Sequence, residues 1–143
     1  MLSNLDKVIY LDSDIVANRD VEELWNIAIG NYCICACKSM THEQNSKRLN
    51  LPKSSPYINS GVLVLNLKKM REKNIENKFF NFVEKNNFAI RNVDQDVINL
   101  VLHKENERIM LIRQNWNTEV RSDIKPKGIY TNYKKSIYNT IHY

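Results

Sequence analysis

The segment KVIYLDSD near the N-terminus constrains the fold of this chain more than any other feature. Residues 8–11 have the composition of a buried β-strand, and they run directly into Asp12 and Asp14. Because residues two apart in an extended chain project to the same side, both carboxylates face one point and Ser13 faces away. Two such charges repel each other unless a cation lies between them. A hard divalent ion that also holds phosphate oxygens suits this pair, and a solvated loop is the alternative.

The size and composition of the chain indicate a single globular domain covering residues 1–143. Hydrophobic residues make up 43% of the sequence and charged residues 26%, which is ordinary for a globular protein. No apolar run approaches the ~20 residues that cross a bilayer, and no signal-peptide pattern is present at the start.

The net charge of +5 does not predict a nucleic-acid partner. Most lysines alternate with glutamates and asparagines, as they do on solvated helix faces. The densest basic region, residues 125–138, is interleaved with tyrosines, a combination that can bind single strands. No nucleic-acid-binding motif accompanies that region, so we expect no nucleic-acid partner.

Three cysteines occupy alternate positions in the segment YCICAC. On a strand, alternate residues point to one face, so Cys33, Cys35 and Cys37 are predicted to lie in a row. That spacing suits neither a tetrahedral zinc site nor a disulfide. We therefore expect buried, reduced thiols, which fit a cytoplasmic location.

Predicted strands and helices alternate along the chain. Strands are predicted at 7–11, 32–37, 62–65, 108–112 and 136–143. Helices are predicted from Asp20, over 67–71 after an Asn66 cap, over 75–85 and at the segment NVDQDVINLVL. The polar segment 38–56 is predicted to be a long loop. This order predicts an α/β fold with a mainly parallel mixed sheet flanked by helices.

Three motifs, YLDSDIVANRDVEELW, YINSGVLVLNLKKMRE and NVDQDVINLVL, together resemble family 8 of the glycosyltransferases. These are retaining nucleotide-sugar enzymes. Within the family, the motifs of this chain are most similar to those of the bacterial lipopolysaccharide glucosyl- and galactosyltransferases. The resemblance implies an α/β domain of the type called GT-A. It also implies a nucleotide-sugar donor, UDP-glucose or UDP-galactose, and a saccharide or glycolipid acceptor such as lipopolysaccharide core. Peripheral association with the inner face of the membrane and homo-oligomerisation remain open.

The resemblance assigns a metal site. Asp12 and Asp14 match the family's D-x-D motif, which binds manganese, or magnesium, between the two phosphates of the donor. Asp12 is also expected to contact the donor itself. His142 matches the histidine that completes the metal site in the family.

The resemblance also assigns a sugar site. Asn59, Ser60 and Gly61 match the segment that lines the donor-sugar pocket, and a glycine there lets a ligand approach the backbone. Asp94 and Gln95 match the catalytic motif of the family. The aspartate is expected to bind sugar hydroxyls, and the glutamine to lie at the anomeric carbon on the side where the acceptor enters.

Three further residues have less specific predictions. Asp96 is predicted to be a helix N-terminal charge that is favourable against the helix dipole. Trp116 and Asn117 match the family's P-x-x-W-N segment, and structural and functional roles stay open for both.

The sequence also departs from the family pattern. In the family, a strand–helix–strand portion with base and ribose contacts precedes the D-x-D strand, and a glycine and a diphosphate-binding lysine follow the histidine. The resemblance therefore implies a GT-A domain lacking its N-terminal portion, with weak donor binding and barely detectable transfer by residues 1–143 alone. The alternatives are a catalytically inactive remnant that binds metal or a partner, or another metal-dependent phosphate-processing enzyme.

Overall fold

The computed structural model describes residues 2–17, 20–86 and 92–118. Its strands are β1 (Lys7–Leu11), β2 (Ile34–Lys38), β3 (Ile58–Asn66) and β4 (Met110–Leu111). Its helices are α1 (Glu22–Trp25), α2 (His42–Arg48), α3 (Leu67–Glu72), α4 (Ile75–Lys85) and α5 (Val93–Lys104), followed by a 3-10 turn at Gln114–Trp116. The predicted α/β class is confirmed. The predicted strand at 136–143 lies outside the described residues.

The four strands form one sheet in the order β1-β3-β2-β4. Strand β3 is antiparallel to both β1 and β2, whereas β2 and β4 are parallel. The prediction of a mainly parallel sheet was therefore wrong for the described strands, because two of these three pairings are antiparallel. A parallel connection needs a helix that covers the sheet face. The connection from β2 to β3 holds only α2, whose sequence HEQNSKR has no apolar stripe to pack there.

Both faces of the sheet are buried. Along β3 the side chain of Leu63 faces one hydrophobic cluster, and Val62 and Val64 face the other. The first cluster includes Ile75 of α4 and Leu102 of α5. The second is filled by residues of α1 and the segment after it, Leu24 and Ile29. The central strand therefore contributes to both layers of the core.

The boundaries of the helices match the sequence predictions to different degrees. Helix α4 spans the predicted residues, and the Asn66 cap is present, with Asn66 Oδ1 accepting from Lys69 N at 2.9 Å. Helix α1 begins at Glu22, two residues after the predicted start, although Asp20 Oδ1 accepts from the Glu22 amide at 2.8 Å. None of the described helices is both long and apolar enough to span a membrane.

Two sequence predictions for the middle of the chain were wrong. Helix α2 lies inside the predicted loop 38–56, because its polar composition gave no apolar periodicity from which to infer a helix. Strand β3 begins at Ile58, so the N-S-G segment belongs to the strand itself. Its polar residues had masked the start of the strand.

The three cysteines are fully buried and reduced, as predicted, but they do not share one face. Cys33 lies in the same cluster as Leu63, and Cys35 packs with the opposite one. The alternation fails because Cys33 precedes the regular strand, and β2 is irregular between Ala36 and Lys38. Burial raises the pKa of the Cys35 thiol to about 11.

Candidate active site

The candidate site lies at the edge of the sheet where β1 ends and β3 begins. Leu11 pairs with Val62 as the last register pair of the two strands. The next backbone contact continues this ladder, with the Asp12 amide donating to the Gly61 carbonyl at 2.9 Å. The antiparallel pairing therefore brings the D-x-D motif against the N-S-G segment, although nearly fifty residues separate them in the sequence.

Gly61 sits in a space that a side chain would fill. A methyl group at Gly61 would lie 3.0 Å from Asn59 Oδ1, 3.2 Å from Asp12 Oδ2 and 3.4 Å from Asn117 Nδ2. The Gly61 amide donates to Asn59 Oδ1 at 2.7 Å, so the side chain of Asn59 folds back over the glycine. The glycine is thus needed for close packing of polar side chains.

Asn117 supports this arrangement from the far end of the described chain. Its side chain is almost fully buried, and its Nδ2 donates to Asn59 Oδ1 at 2.5 Å. Gln114 Nε2 in turn donates to the Asn117 carbonyl at 3.0 Å. Of the two roles that the sequence left open for Asn117, this contact favours the positioning of Asn59.

Negative charge concentrates beside this edge. Tyr10 donates its hydroxyl to Asp12 Oδ1 at 2.8 Å. The pKa of Tyr10 is raised chiefly by this hydrogen bond, and the charges of Asp12 and Asp94 raise it further. Asp94 therefore lies near the D-x-D motif, and the side chains of Asp14 and Asp94 are both exposed to solvent.

Gln95 lies at the start of α5 and is bound directly to β3. Its Oε1 accepts from the Ser60 amide at 3.1 Å, with the Ser60 hydroxyl at 3.5 Å. Asn99, one turn later, accepts from the Ile58 amide at 2.8 Å and donates to the Gln95 carbonyl at 2.7 Å. These bonds fix the first turn of α5 to the strand that carries the N-S-G segment.

The structure thus brings most of the proposed site residues together. Asp12, Asn59, Ser60, Gly61 and Gln95 are linked by direct contacts, and Asp94 lies close by. Their catalytic and binding roles stay predictions.

The donor set suits a hard divalent cation. Asp12 Oδ2 borders the side-chain position of Gly61, 3.2 Å from where a methyl group would lie, and Asp14 follows two residues later with an exposed carboxylate. Carboxylate oxygens are the ligands that manganese and magnesium take, with water or phosphate completing the shell. No three His, Cys, Asp or Glu side chains converge within the described residues. His142 lies outside them, so its place in the metal site stays a prediction.

Sequence reasoning missed a buried polar cluster behind Gln95. Asp96 is fully buried and accepts two hydrogen bonds from Arg48, at 2.7 and 3.0 Å, and one from the Tyr57 hydroxyl at 2.6 Å. Its bond from the Asn92 amide, at 3.1 Å, fits the predicted place near the start of α5. That prediction accounted for only one of its contacts. Arg48 lies in the unrecognised helix α2, so nothing in the sequence pointed to this ion pair.

Comparison with known proteins agrees with this architecture. A model of Glycosyl transferase family 8 matches residues 1–143, and the chain belongs to this family. The resemblance inferred from the three motifs is confirmed.

Two curated relatives illustrate the extent of the match. A Haemophilus influenzae protein provisionally described as a glycosyltransferase is 35% identical over 132 aligned residues, with 90% of this chain and 39% of the relative covered. The lipopolysaccharide 1,2-glucosyltransferase of Escherichia coli K12 is 29% identical over 147 aligned residues, covering 97% of this chain and 42% of the relative. The chain spans about two-fifths of the length of these relatives.

Solved structures show the same fold. A galactosyltransferase, LgtC, solved with donor and acceptor sugar analogs, superposes with a TM-score of 0.66 at 24% identity, over 85% of this chain and 47% of that one. The glycosyltransferase GlyE of Streptococcus pneumoniae gives a TM-score of 0.66 at 24% identity, over 95% of this chain and 30% of that one. The described strands and helices therefore form part of a GT-A-like domain.

Proposed function

We propose that the protein is a retaining glycosyltransferase that moves a hexose from UDP-glucose or UDP-galactose to a saccharide acceptor such as lipopolysaccharide core. The observation that carries this proposal is the direct contact between the D-x-D and N-S-G motifs at Asp12 and Gly61, with Gln95 bound to the adjacent Ser60. Membership of family 8 supports it, as does a relative named for glucosyl transfer to lipopolysaccharide.

The donor's diphosphate would lie against the acidic end of the site. Asp12 and Asp14 would hold Mn²⁺ or Mg²⁺, and a bound divalent ion neutralises the charge that develops on the leaving phosphate. Tyr10 directs its hydroxyl at one oxygen of Asp12, which leaves Oδ2 as the oxygen facing the site.

The donor's sugar would lie against Gly61 and the first turn of α5. Gly61 lets the polar side chains of Asn59 and Asp12 pack close to the backbone there, and Asp94 offers an exposed carboxylate to sugar hydroxyls. The amide dipole of Gln95 would stabilise positive charge at the anomeric carbon. Because an amide is a poor nucleophile, this arrangement favours attack by the acceptor on the face that the leaving group vacates.

Metal-dependent turnover of the donor tests this proposal. The full-length protein, with the family segments that flank residues 1–143, is incubated with UDP-glucose or UDP-galactose and a saccharide acceptor, in Mn²⁺, Mg²⁺ or chelator, and UDP release is measured. We expect release only with metal, and an α-linked product by NMR. Asp14→Ala should lower the rate at least about a hundredfold. Asp6→Ala is the matched control, because this exposed carboxylate lies before β1 at the opposite end of the strand.

Two outcomes would contradict the proposed function. Turnover of a simple phosphate ester as fast as that of the sugar nucleotide would indicate another phosphate-processing enzyme. Binding of Mn²⁺ and donor without any turnover would indicate a non-catalytic module.

A further inference from the structure

Tyr57 connects Gln95 to the buried ion pair of Asp96 and Arg48. The side chain of Tyr57 is fully buried, and its hydroxyl donates to Asp96 Oδ1 at 2.6 Å. The same hydroxyl oxygen accepts from Gln95 Nε2 at 3.0 Å. A continuous chain of hydrogen bonds therefore runs from Arg48 on α2 to the proposed catalytic amide on α5.

The chemistry of each group fixes the direction of these hydrogen bonds. A guanidinium only donates, and an ionised carboxylate only accepts. Burial raises the pKa of Asp96, but hydrogen bonds from Arg48, Tyr57 and the Asn92 amide outweigh it and leave the pKa below its ordinary value. Asp96 is therefore ionised at neutral pH. Tyr57 must give its single proton to Asp96, and it can meet Gln95 only as an acceptor.

Both ends of the Gln95 amide are constrained as a result. On one side the Tyr57 oxygen accepts, so it requires the NH₂ group. On the other side the Ser60 backbone amide donates, so it requires the carbonyl oxygen. A flipped amide would place two donors against each other at Ser60 and two oxygen lone pairs against each other at Tyr57. Only one of the two orientations satisfies both neighbours.

We propose that Tyr57, supported by Asp96 and Arg48, is a positioning residue that holds the Gln95 amide with its oxygen toward the start of β3. The importance of Gln95 rests on the proposed function, whereas its orientation rests on these contacts alone. A dipole that is already oriented does not have to reorganise during the reaction, so its fixation contributes to the rate of the chemical step.

Removal of one hydroxyl tests this inference. Tyr57→Phe keeps the ring in the core and leaves Asp96 its bonds from Arg48 and the Asn92 amide. We expect kcat for donor turnover to fall about tenfold, with KM for the donor changed less than about twofold. Tyr32→Phe is the matched control, since Tyr32 lies before β2 at the far end of the sheet, and it should leave both constants unchanged.

A double variant separates positioning from a general structural effect. If Tyr57 acts through Gln95, the loss caused by Tyr57→Phe should disappear in a Gln95→Ala background. A Tyr57→Phe enzyme as active as Tyr32→Phe would overturn the inference and leave the proposed function intact. The inference would also be overturned if Tyr57→Phe lowered kcat by the full factor in the Gln95→Ala background, and the proposed function would again be unaffected.

NMR of the Gln95 side-chain NH₂ group tests the positioning without any activity. The signals are assigned by their absence in Gln95→Ala. We expect one NH₂ proton to exchange slowly with solvent in the unchanged protein, and the signals to shift in Tyr57→Phe but not in Tyr32→Phe. Fast exchange of both NH₂ protons would overturn the inference. Gln95 NH₂ signals that do not shift in Tyr57→Phe would overturn it as well. Lack of turnover by the unchanged protein would count against the proposed function only.

Discussion

The Asp12 amide donates a 2.9 Å hydrogen bond to the Gly61 carbonyl, and Asp12 Oδ2 lies where it would be only 3.2 Å from a methyl group at Gly61. One residue of the proposed metal site and one of the proposed sugar site are thus joined by a backbone hydrogen bond, and the Asp12 carboxylate borders the space that a side chain at Gly61 would occupy. A change at either residue is transmitted directly to the other.

Gly61→Ala should disturb the site through crowding. The new methyl group would force Asn59 and Asp12 to move by a few tenths of an ångström. We expect a loss of about 1–3 kcal/mol in the free energy of unfolding and weaker Mn²⁺ binding, measured by urea denaturation and by calorimetric titration. Gly30→Ala is the control. It should lower the free energy of unfolding by about 1 kcal/mol through its backbone φ of +54°, without crowding the site. Equal Mn²⁺ affinities for the two variants would contradict this prediction.

Arg48→Ala should destabilise the fold strongly, because it leaves the fully buried carboxylate of Asp96 without its cationic partner. We expect a loss of about 3 kcal/mol in the free energy of unfolding. Arg71→Ala is the control, since Arg71 pairs with Asp6 in a largely exposed ion pair and should cost about 0.5 kcal/mol or less. Urea denaturation of both variants followed by tryptophan fluorescence measures the difference. Similar losses in unfolding free energy for the two variants would contradict the prediction that the Arg48–Asp96 pair is the more important for stability.

Stability should fall as the pH drops below about 6.5, because His42 is held neutral in the folded protein. His42 Nδ1 accepts a hydrogen bond from the Tyr57 amide at 2.8 Å. Burial lowers the pKa of His42, the charge of Lys38 lowers it further, and Glu43 partly opposes them. The unfolded chain therefore takes up a proton at a higher pH than the folded protein. The stability that neutral His42 contributes is fully present above the unfolded pKa. It is lost as the pH falls from there toward the lower pKa of His42 in the folded protein.

The variant His42→Asn isolates this titration. The asparagine amide oxygen can replace Nδ1 as an acceptor for the Tyr57 amide, but it does not titrate. Urea denaturation between about pH 5.5 and about pH 7 should show a flatter dependence of the unfolding free energy than in the unchanged protein. Identical slopes for the unchanged protein and His42→Asn would refute the assignment.

The thiols should resist alkylation in the folded protein. Cys33, Cys35 and Cys37 are fully buried, and the pKa of Cys35 is raised to about 11, so few thiolates exist at neutral pH. We expect iodoacetamide labelling, followed by mass spectrometry, to accelerate at least about a hundredfold when the protein is unfolded in urea. Labelling of Cys35 at the same rate in buffer and in urea would exclude a closed core at this position.

The sequence predicted features that depend on local chemistry. The strand before Asp12, the Asn66 cap and the full extent of α4 follow from short-range patterns, because strand composition, cap geometry and helical periodicity are all encoded within a few residues. The three motifs of the family were recognisable for the same reason, since each is a contiguous run.

Features that depend on distant partners could not be inferred. The antiparallel direction of β3 depends on its pairing with both β1 and β2, and no single segment encodes the order of these strands. The polar helix α2 has no apolar periodicity of its own, and its Arg48 and His42 bond to groups beyond its sequence, Asp96 and the Tyr57 amide. Asp96 illustrates the same difference. Its position near the start of a helix was predicted from the sequence, whereas its ionic partner, Arg48, was not.

The central position of β3 also governs the order in which this sheet can assemble during synthesis. Strand β1 pairs with β3 alone among the described strands, and β2 pairs with β3 and the later β4. A nascent chain that ends before Ile58 therefore holds two strands with unpaired edges and no described strand to join either of them. Emergence of residues 58–66 from the ribosome supplies the shared partner. Until then neither β1 nor β2 has the partner that β3 provides, and that one segment joins both strands at once.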